Sequence, residues 1–499
     1  MKKIFINIKV FAILAALLIS TGCEKTLDIN TDPNNPGIEN ATPEVLFPAG
    51  VMSTAGMVGG QLAIVGNLWS QYVAQNSSSS QYRSVDSYNL INSSEEVNLS
   101  YQELYSGALN DYQLTITKAQ ENEDWRYNLM ATVMKAYTYE VLVDLYDQVP
   151  YTEALKGQEI LQPKFDDGYS IYQSLLAEID EALSKDFKSN PLSAAQQSTD
   201  FVFAGDMDKW EQFANTLKLK MYLRMVNAKP AEAQAGIQAL YNANATFLSD
   251  NAGVDVFTDV PEKRNPMYEF NIEGVGTTSN LKASITFISW LKANNDPRIV
   301  DYFGTATPTG MHQGDFAASL VEQPTYPNAT TFVQHADDPV WFISAAESYF
   351  MQAEALERYY NGAKDGVTGK QMYDAGVTAA FAELDLTPGN LLTTNYAYPV
   401  NGSLDAKIEA IIVQKWAAFP RSHALEAFFE KNRTGYPRTS PVPSTNEAQY
   451  VPGQLVYSFG GVTGAGNFPQ RFVFPDYERS RNKNTPPEVP ITTKVWWAK

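Results

Sequence analysis

The chain has 499 residues, with 37 Lys and Arg against 56 Asp and Glu, and a formal net charge of −19. This balance excludes nucleic acid as a partner, because phosphate binding needs a basic face. One cysteine rules out an internal disulfide, and with only three histidines the chain scarcely has the ligands for a zinc site, so stability has to come from core burial and no cofactor is expected.

The chain opens with Lys2, Lys3 and Lys9, a wholly apolar run from Val10 to Ile19, and the small residues Ser20, Thr21 and Gly22. This is the pattern of a secretory signal peptide over residues 1–22, and the run is too short to span a bilayer, which takes about 20 apolar residues. A signal cut just before Cys23 resembles that of a bacterial lipoprotein: Thr21, Gly22 and Cys23 match the lipobox, although Ser20 stands where leucine is commonest and Ile19 lies one place upstream. Lipidation of Cys23 would turn an exposed thiol into a membrane tether, each buried acyl CH₂ adding about 0.8 kcal/mol. Residues 23–45, rich in Asn, Pro and Asp, read as a linker to that anchor. Within it Asp28, Asn30, Asp32, Asn34 and Glu39 follow a calcium-loop spacing, but Pro33 occupies the place that needs Gly.

Helical periodicity dominates the remainder. Met130, Val133, Met134, Tyr137, Val141 and Leu145 predict one stripe of an amphipathic helix that must stop before Pro150, and Ile171, Leu175, Ile179 and Leu183 predict its neighbour. Trp210, Phe213, Leu217 and Met221 mark a third helix, and a fourth runs from Pro230 to Tyr241. Four further segments, from "WFISAAESYFMQAEALERYY" to "HALEAFFEKN", bring the total to eight helices, which pair as four hairpins near 129–184, 210–241, 341–384 and 404–431. No fixed 34-residue repeat is legible. Residues 245–340 and 435–499 are rich in Gly, Pro, Thr, Asn and aromatics, the composition of binding loops carried on a scaffold.

Catalytic signatures are scarce. The sequence contains no HExxH, CxxC or GxSxG, and the acidic pair Asp206 and Asp208 fits a capped helix start better than a glycosidase dyad. Arg298 and Arg433 are expected to pair carboxylates inside the body, and Trp210 and Trp416 to lie in the core.

The segments "LDINTDPNNP", "MKAYTYEVLVDLYDQVPYTEAL", "FDDGYSIYQSLLAEIDEAL", "DFVFAGDMDKWEQFANTLKLKMYLRM", "NDPRIVDYF", "SAAESYFMQAEAL", "IIVQKWAAF", "NRTGYPR" and "RFVFPDYERSRN" follow one another in this order. Together they resemble the SusD/RagB family of nutrient-binding outer-membrane lipoproteins. The resemblance implies a mostly α fold over residues 46–499, in which tetratricopeptide-like helical hairpins form a scaffold and a loop-rich half carries the ligand site. It also implies a SusC-like TonB-dependent transporter as partner and attachment to the cell outer membrane, facing outward. The cargo would be a glycan or, as in RagB-like members, a peptide, and no catalysis is expected. A cell-surface glycoside hydrolase and an adhesive surface protein are the rival classes.

If the ligand is a glycan, aromatic faces should stack on sugar rings while amide and acidic groups bond the hydroxyls. Trp69, Tyr72, Gln75, Asn76, Tyr82 and Tyr88 interleave with small polar residues in this way, and Trp290 and Trp341 are further candidates. The same segment also reads as a helix with a buried Trp and Tyr, followed by a polar loop.

Overall fold

A computed structural model describes residues 41–276, 280–316 and 328–499. The leader, Cys23, the calcium-loop spacing and most of the linker lie outside the described residues. The body is mostly helical, as the periodicity predicts, and its few strands are two to four residues long.

Helices α1 (Pro43–Val58), α2 (Gln61–Trp69), α3 (Glu95–Glu103) and α4 (Asn110–Glu121) precede the first helix that periodicity identified, and a π-helical turn, Leu104–Leu109, joins α3 to α4. The hydrophobic residues of α1 and α2 do not fall into a single clean stripe. α2 shows why: all nine of its residues are buried. A helix covered on every side has no polar face to produce a period.

The same holds for α5 (Trp125–Tyr146), where all but Trp125 and Arg126 of 22 residues are buried. The amphipathic stripe expected here is therefore corrected to an all-round buried axis. Asp124 caps its start by accepting from the Tyr127 N–H, and the chain leaves it at Asp147, whose φ is +70°. Around α5 lie α4, α6 (Gly168–Leu183) and α7 (Met207–Arg224), which is followed by α8 (Pro230–Asn242). Asp206 caps α7 by accepting from the Asp208 and Lys209 N–H groups, so this acidic pair starts a helix.

Beyond α9 (Ile285–Asn294), α10 (Ala345–Tyr359) packs along α11 (Gly369–Ala382), and α12 (Leu404–Ala417) lies against α10. The helix α13 (Ala424–Thr434) packs more extensively on α2 than on α12. A gap lets this happen: Gly66 of α2 has no side chain where the backbone of Ala424 and Leu425 approaches, and a Cβ there would come within 2.3 Å. The residues Trp341–Ile343, expected to open a helix, instead belong to a strand, Val340–Ile343, that pairs antiparallel with Ala252–Val254. Val340, Phe342 and Ile343 are each fully buried, a setting that suits β-branched and aromatic side chains in a strand.

Charged residues of α5 are buried because partners meet them. Arg224 of α7 reaches Asp144 at 2.9 Å, Glu140 at 3.3 Å, and Glu426 and Glu430 of α13 at 2.8 Å each. Lys220 lies 2.9 Å from Glu426, and Lys415 extends the network to Glu347 and Glu430. Arg433 joins Glu354 and Glu430, each at 2.6 Å, while Arg298 holds Asp296 at 2.6 Å, so both arginines tie the core. Trp210 and Trp416 are buried in it. The loop-rich tail also enters: Trp497 is fully buried and its indole N–H donates to Asp144 Oδ1 at 2.6 Å.

Candidate ligand-binding face

The stretch from Trp69 to Tyr88 builds the frame of a loop cluster. At the end of α2 the Trp69 indole N–H donates to the Val85 carbonyl at 3.0 Å, and its ring is covered by Phe428 and Phe472, with centroids 4.8 and 5.6 Å away. Gln71, at φ +59°, turns the chain into the strand Val73–Gln75, which pairs antiparallel with Leu281–Ala283. Tyr72 stacks on Trp416 at 5.5 Å and donates its hydroxyl to the Trp416 carbonyl.

Gln75 then folds the following loop back on itself. Its Oε1 accepts from the Tyr82 N–H at 2.7 Å and its Nε2 donates to Ser79 Oγ at 2.6 Å. Asn76 Oδ1 accepts from the Ser78 N–H, a local side-chain turn. Arg83 clamps the same loop by donating to the Ser77 and Ser79 carbonyls, each at 2.9 Å, and lies over the Phe316 ring at 5.3 Å.

Asp86 joins this loop to a second one. Its fully buried carboxylate accepts from the Gln75 N–H at 2.9 Å, the Gln313 side chain at 2.5 Å and the Gly314 N–H at 3.3 Å. Burial raises the Asp86 pKa to about 7 against the lowering effect of those three donors. A third loop docks through the Phe459 N–H on the Gln313 carbonyl and the Val462 N–H on the Ser87 carbonyl, while Tyr88 sits between Tyr457 and Phe468.

Beside these loops lies a cavity of about 160 Å³ lined by Gln61, Ile64, Gln81, Tyr82, Glu95, Glu96, Phe270, Gly274 and Val275. Gln61 is 6% exposed, and its Oε1 has no hydrogen-bond partner among the described residues. Burial pushes the Glu96 carboxyl above its ordinary range, with Glu95 adding to the effect. Two amides, two carboxyl groups and the Tyr82 and Phe270 rings thus surround one small space. Such a set can hydrogen-bond hydroxyls while covering an apolar face. Among the described residues no group of three His, Cys, Asp or Glu side chains is placed to hold a metal ion.

Residues 37–458 match the family described as starch-binding and associating with the outer membrane. The chain belongs to the SusD-like family. No curated protein sequence matches it. Among solved structures, a SusD homolog from Bacteroides uniformis is 20% identical with a TM-score of 0.73, covering 91% of this chain and 99% of its own. A chitin-binding SusD homolog from Flavobacterium johnsoniae is 20% identical with a TM-score of 0.71, covering 90% of this chain and 98% of its own. A SusD-like protein from Bacteroides thetaiotaomicron gives 20% identity and a TM-score of 0.70, with 90% and 98% coverage. At this identity the likeness shows the SusD-like fold.

In this SusD-like chain the residues proposed from sequence lie in different settings. Trp69, Tyr72, Gln75, Asn76, Tyr82 and Tyr88 come together, and each is at most 5% exposed, so they carry the loops more than they form its surface. Tyr82 is the member of this group that borders the 160 Å³ cavity. Trp290, 8% exposed, is stacked on Tyr396 at 5.4 Å and meets Trp416, the partner of Tyr72, edge-on at 5.7 Å, so it too belongs to the core. Trp341 is half-buried and donates its indole N–H to Glu383, beside a separate cavity of about 100 Å³ bordered by Tyr302, Asp338, Arg421 and His423. Sequence reading did not single out Gln61, Gln81, Glu95, Glu96, Phe270 and Phe316. For Phe270 and Phe316 the signal was only the loop-rich composition of 245–340, and Gln61, Gln81, Glu95 and Glu96 had none; the Val73–Gln75 pairing with Leu281–Ala283 is what brings that segment to the face.

Proposed function

We propose that this protein is an outer-membrane receptor, tethered through acylated Cys23, that binds a neutral oligosaccharide and passes it unaltered to a SusC-like TonB-dependent transporter. The observation that carries the reading is the small cavity of aromatic rings, amides and carboxyl groups on the loop face. It stands in a chain whose family is described as starch-binding and associating with the outer membrane. The chitin-binding relative supports a glycan cargo. Gln81, Gln61, Glu95 and Glu96 bond sugar hydroxyls, and Tyr82 and Phe270 cover a ring face. Trp341 is a second contact, at its own cavity.

Calorimetric titration with neutral oligosaccharides of glucose, N-acetylglucosamine, xylose, mannose and galactose tests the reading. Binding without release of smaller sugars is expected, and Gln81→Ala should weaken it by about three- to tenfold, the worth of one or two hydrogen bonds. Hydrolysis of any of these sugars would instead identify a glycosidase, and silence across the panel would end the carbohydrate reading. Mass spectrometry of the native protein should find fatty acid on Cys23, and affinity purification should recover a barrel transporter.

A further inference from the structure

A larger cavity, about 340 Å³, opens elsewhere on the helical side and shares no lining residue with the one beside Tyr82. Its size falls in the range of small-molecule sites, about 300–1,000 Å³. One wall is aromatic. Tyr101 of α3 and Tyr105 of the following π-helical turn have ring centroids 4.9 Å apart, and Tyr477 meets Tyr101 edge-on at 6.4 Å. Tyr105 donates its hydroxyl to the Pro150 carbonyl at 2.7 Å and Tyr477 to the Asn98 carbonyl at 3.3 Å, which fixes both rings in place. π-Helical turns of this kind are frequent at functional sites because the wider turn re-aims the side chains that follow.

Leu155, Leu161 and Pro163 add an aliphatic part to the lining. Leu155 is held at φ +62°, a left-handed conformation that is uncommon for a residue with a side chain, and Leu161 is 78% exposed at the mouth. Around the rim stand Gln102, Ser106, Glu478 and Arg481. Asn482 holds one Glu478 oxygen at 2.9 Å and the Pro163 carbonyl at 2.9 Å, so the carboxylate is positioned. Arg481 makes no ion pair among the described residues.

We infer that this cavity is a second carbohydrate subsite, in which a neutral pyranose lies with its apolar face on the Tyr101, Tyr105 and Tyr477 wall and its hydroxyls on Gln102, Ser106, Glu478 and Arg481. A wholly apolar occupant would strip water from a carboxylate and a guanidinium without replacing their hydrogen bonds. An anion or a cation would meet rim charges of both signs. A neutral ring with one apolar face and hydroxyls that both donate and accept satisfies every group at once. The inference rests on the receptor reading given above.

The full mature chain in detergent is titrated calorimetrically with the same five-sugar panel, alongside Ser106→Trp, which fills the mouth, Arg481→Ala at the rim and Gln81→Ala on the loop face. With at least one sugar, two classes of site are expected. Ser106→Trp should weaken one class at least tenfold, Arg481→Ala should weaken that same class at least threefold, and Gln81→Ala should affect only the other. Unchanged melting temperatures establish that the variants fold; if Ser106→Trp does not, Arg481→Ala, on an exposed side chain, decides. Sugar binding that both cavity variants leave unchanged while Gln81→Ala weakens it overturns the second subsite and keeps the receptor reading. Silence of the unaltered chain towards every sugar overturns both.

Discussion

Asp86 shows how one residue can govern a surface it does not reach. Its carboxylate collects donors from two loops, and burial raises its pKa to about 7. Because the folded pKa lies above the unfolded value, its contribution to stability is fully present below about pH 4 and is lost as pH rises through about 7. The melting temperature of the unaltered chain, measured relative to Asp86→Asn, should therefore fall between pH 5 and pH 8; a constant difference would refute the ionisation. Trp69 is the other instructive residue. Aromatic spacing alone fits a sugar platform, but the ring is enclosed by Phe428 and Phe472. Trp69→Ala should accordingly destabilise the protein by about 3–5 kcal/mol in denaturant titration.

Among the elements, α5 was found by its period but not recognised as enclosed on all sides. A helix surrounded on all sides is stable only if its charged residues are paired, and Glu140 and Asp144 find Arg224. Arg224→Met should cost about 3–5 kcal/mol, because four carboxylates lose their shared partner; equilibrium unfolding measures it. The neighbouring Glu354 is subject to opposing forces. Burial alone would raise its carboxyl, but Arg433 and Arg358 outweigh that and hold it at about 2. This stability is present above the ordinary pKa of 4.5 and is lost as pH falls through about 2, so acid titration should unfold the network over that interval, later than in an Arg433→Met variant. The loops are organised by the same kind of local accounting. Arg83 satisfies the Ser77 and Ser79 carbonyls of the Asn76–Gln81 turn, and Asp86 and Gln75 take the N–H groups of Gln75 and Tyr82 at its two ends, while Ser78, Ser80 and Gln81 are exposed.

Over the whole molecule, the amino-acid sequence alone establishes that the body is mostly helical, where helices such as α6, α7, α10 and α11 run, and which family the order of segments resembles. It could do so because a one-sided helix writes its period into the chain. Gly and Pro content marked 245–340 and 435–499 as loop-rich, yet Ile285–Asn294 and Arg298–Phe303 within the first of these are helical. It takes the packed molecule to see that α2 and α5 are enclosed, that Trp497 returns to the core, and that Gln61, Gln81, Glu96 and Phe270 meet around one cavity. Those facts depend on contacts between residues up to hundreds of positions apart, such as Asp86 with Gln313 and Asp144 with Trp497. Burial and cavity shape are properties of such pairings, and no local pattern of residue types encodes which distant segment will cover a given ring.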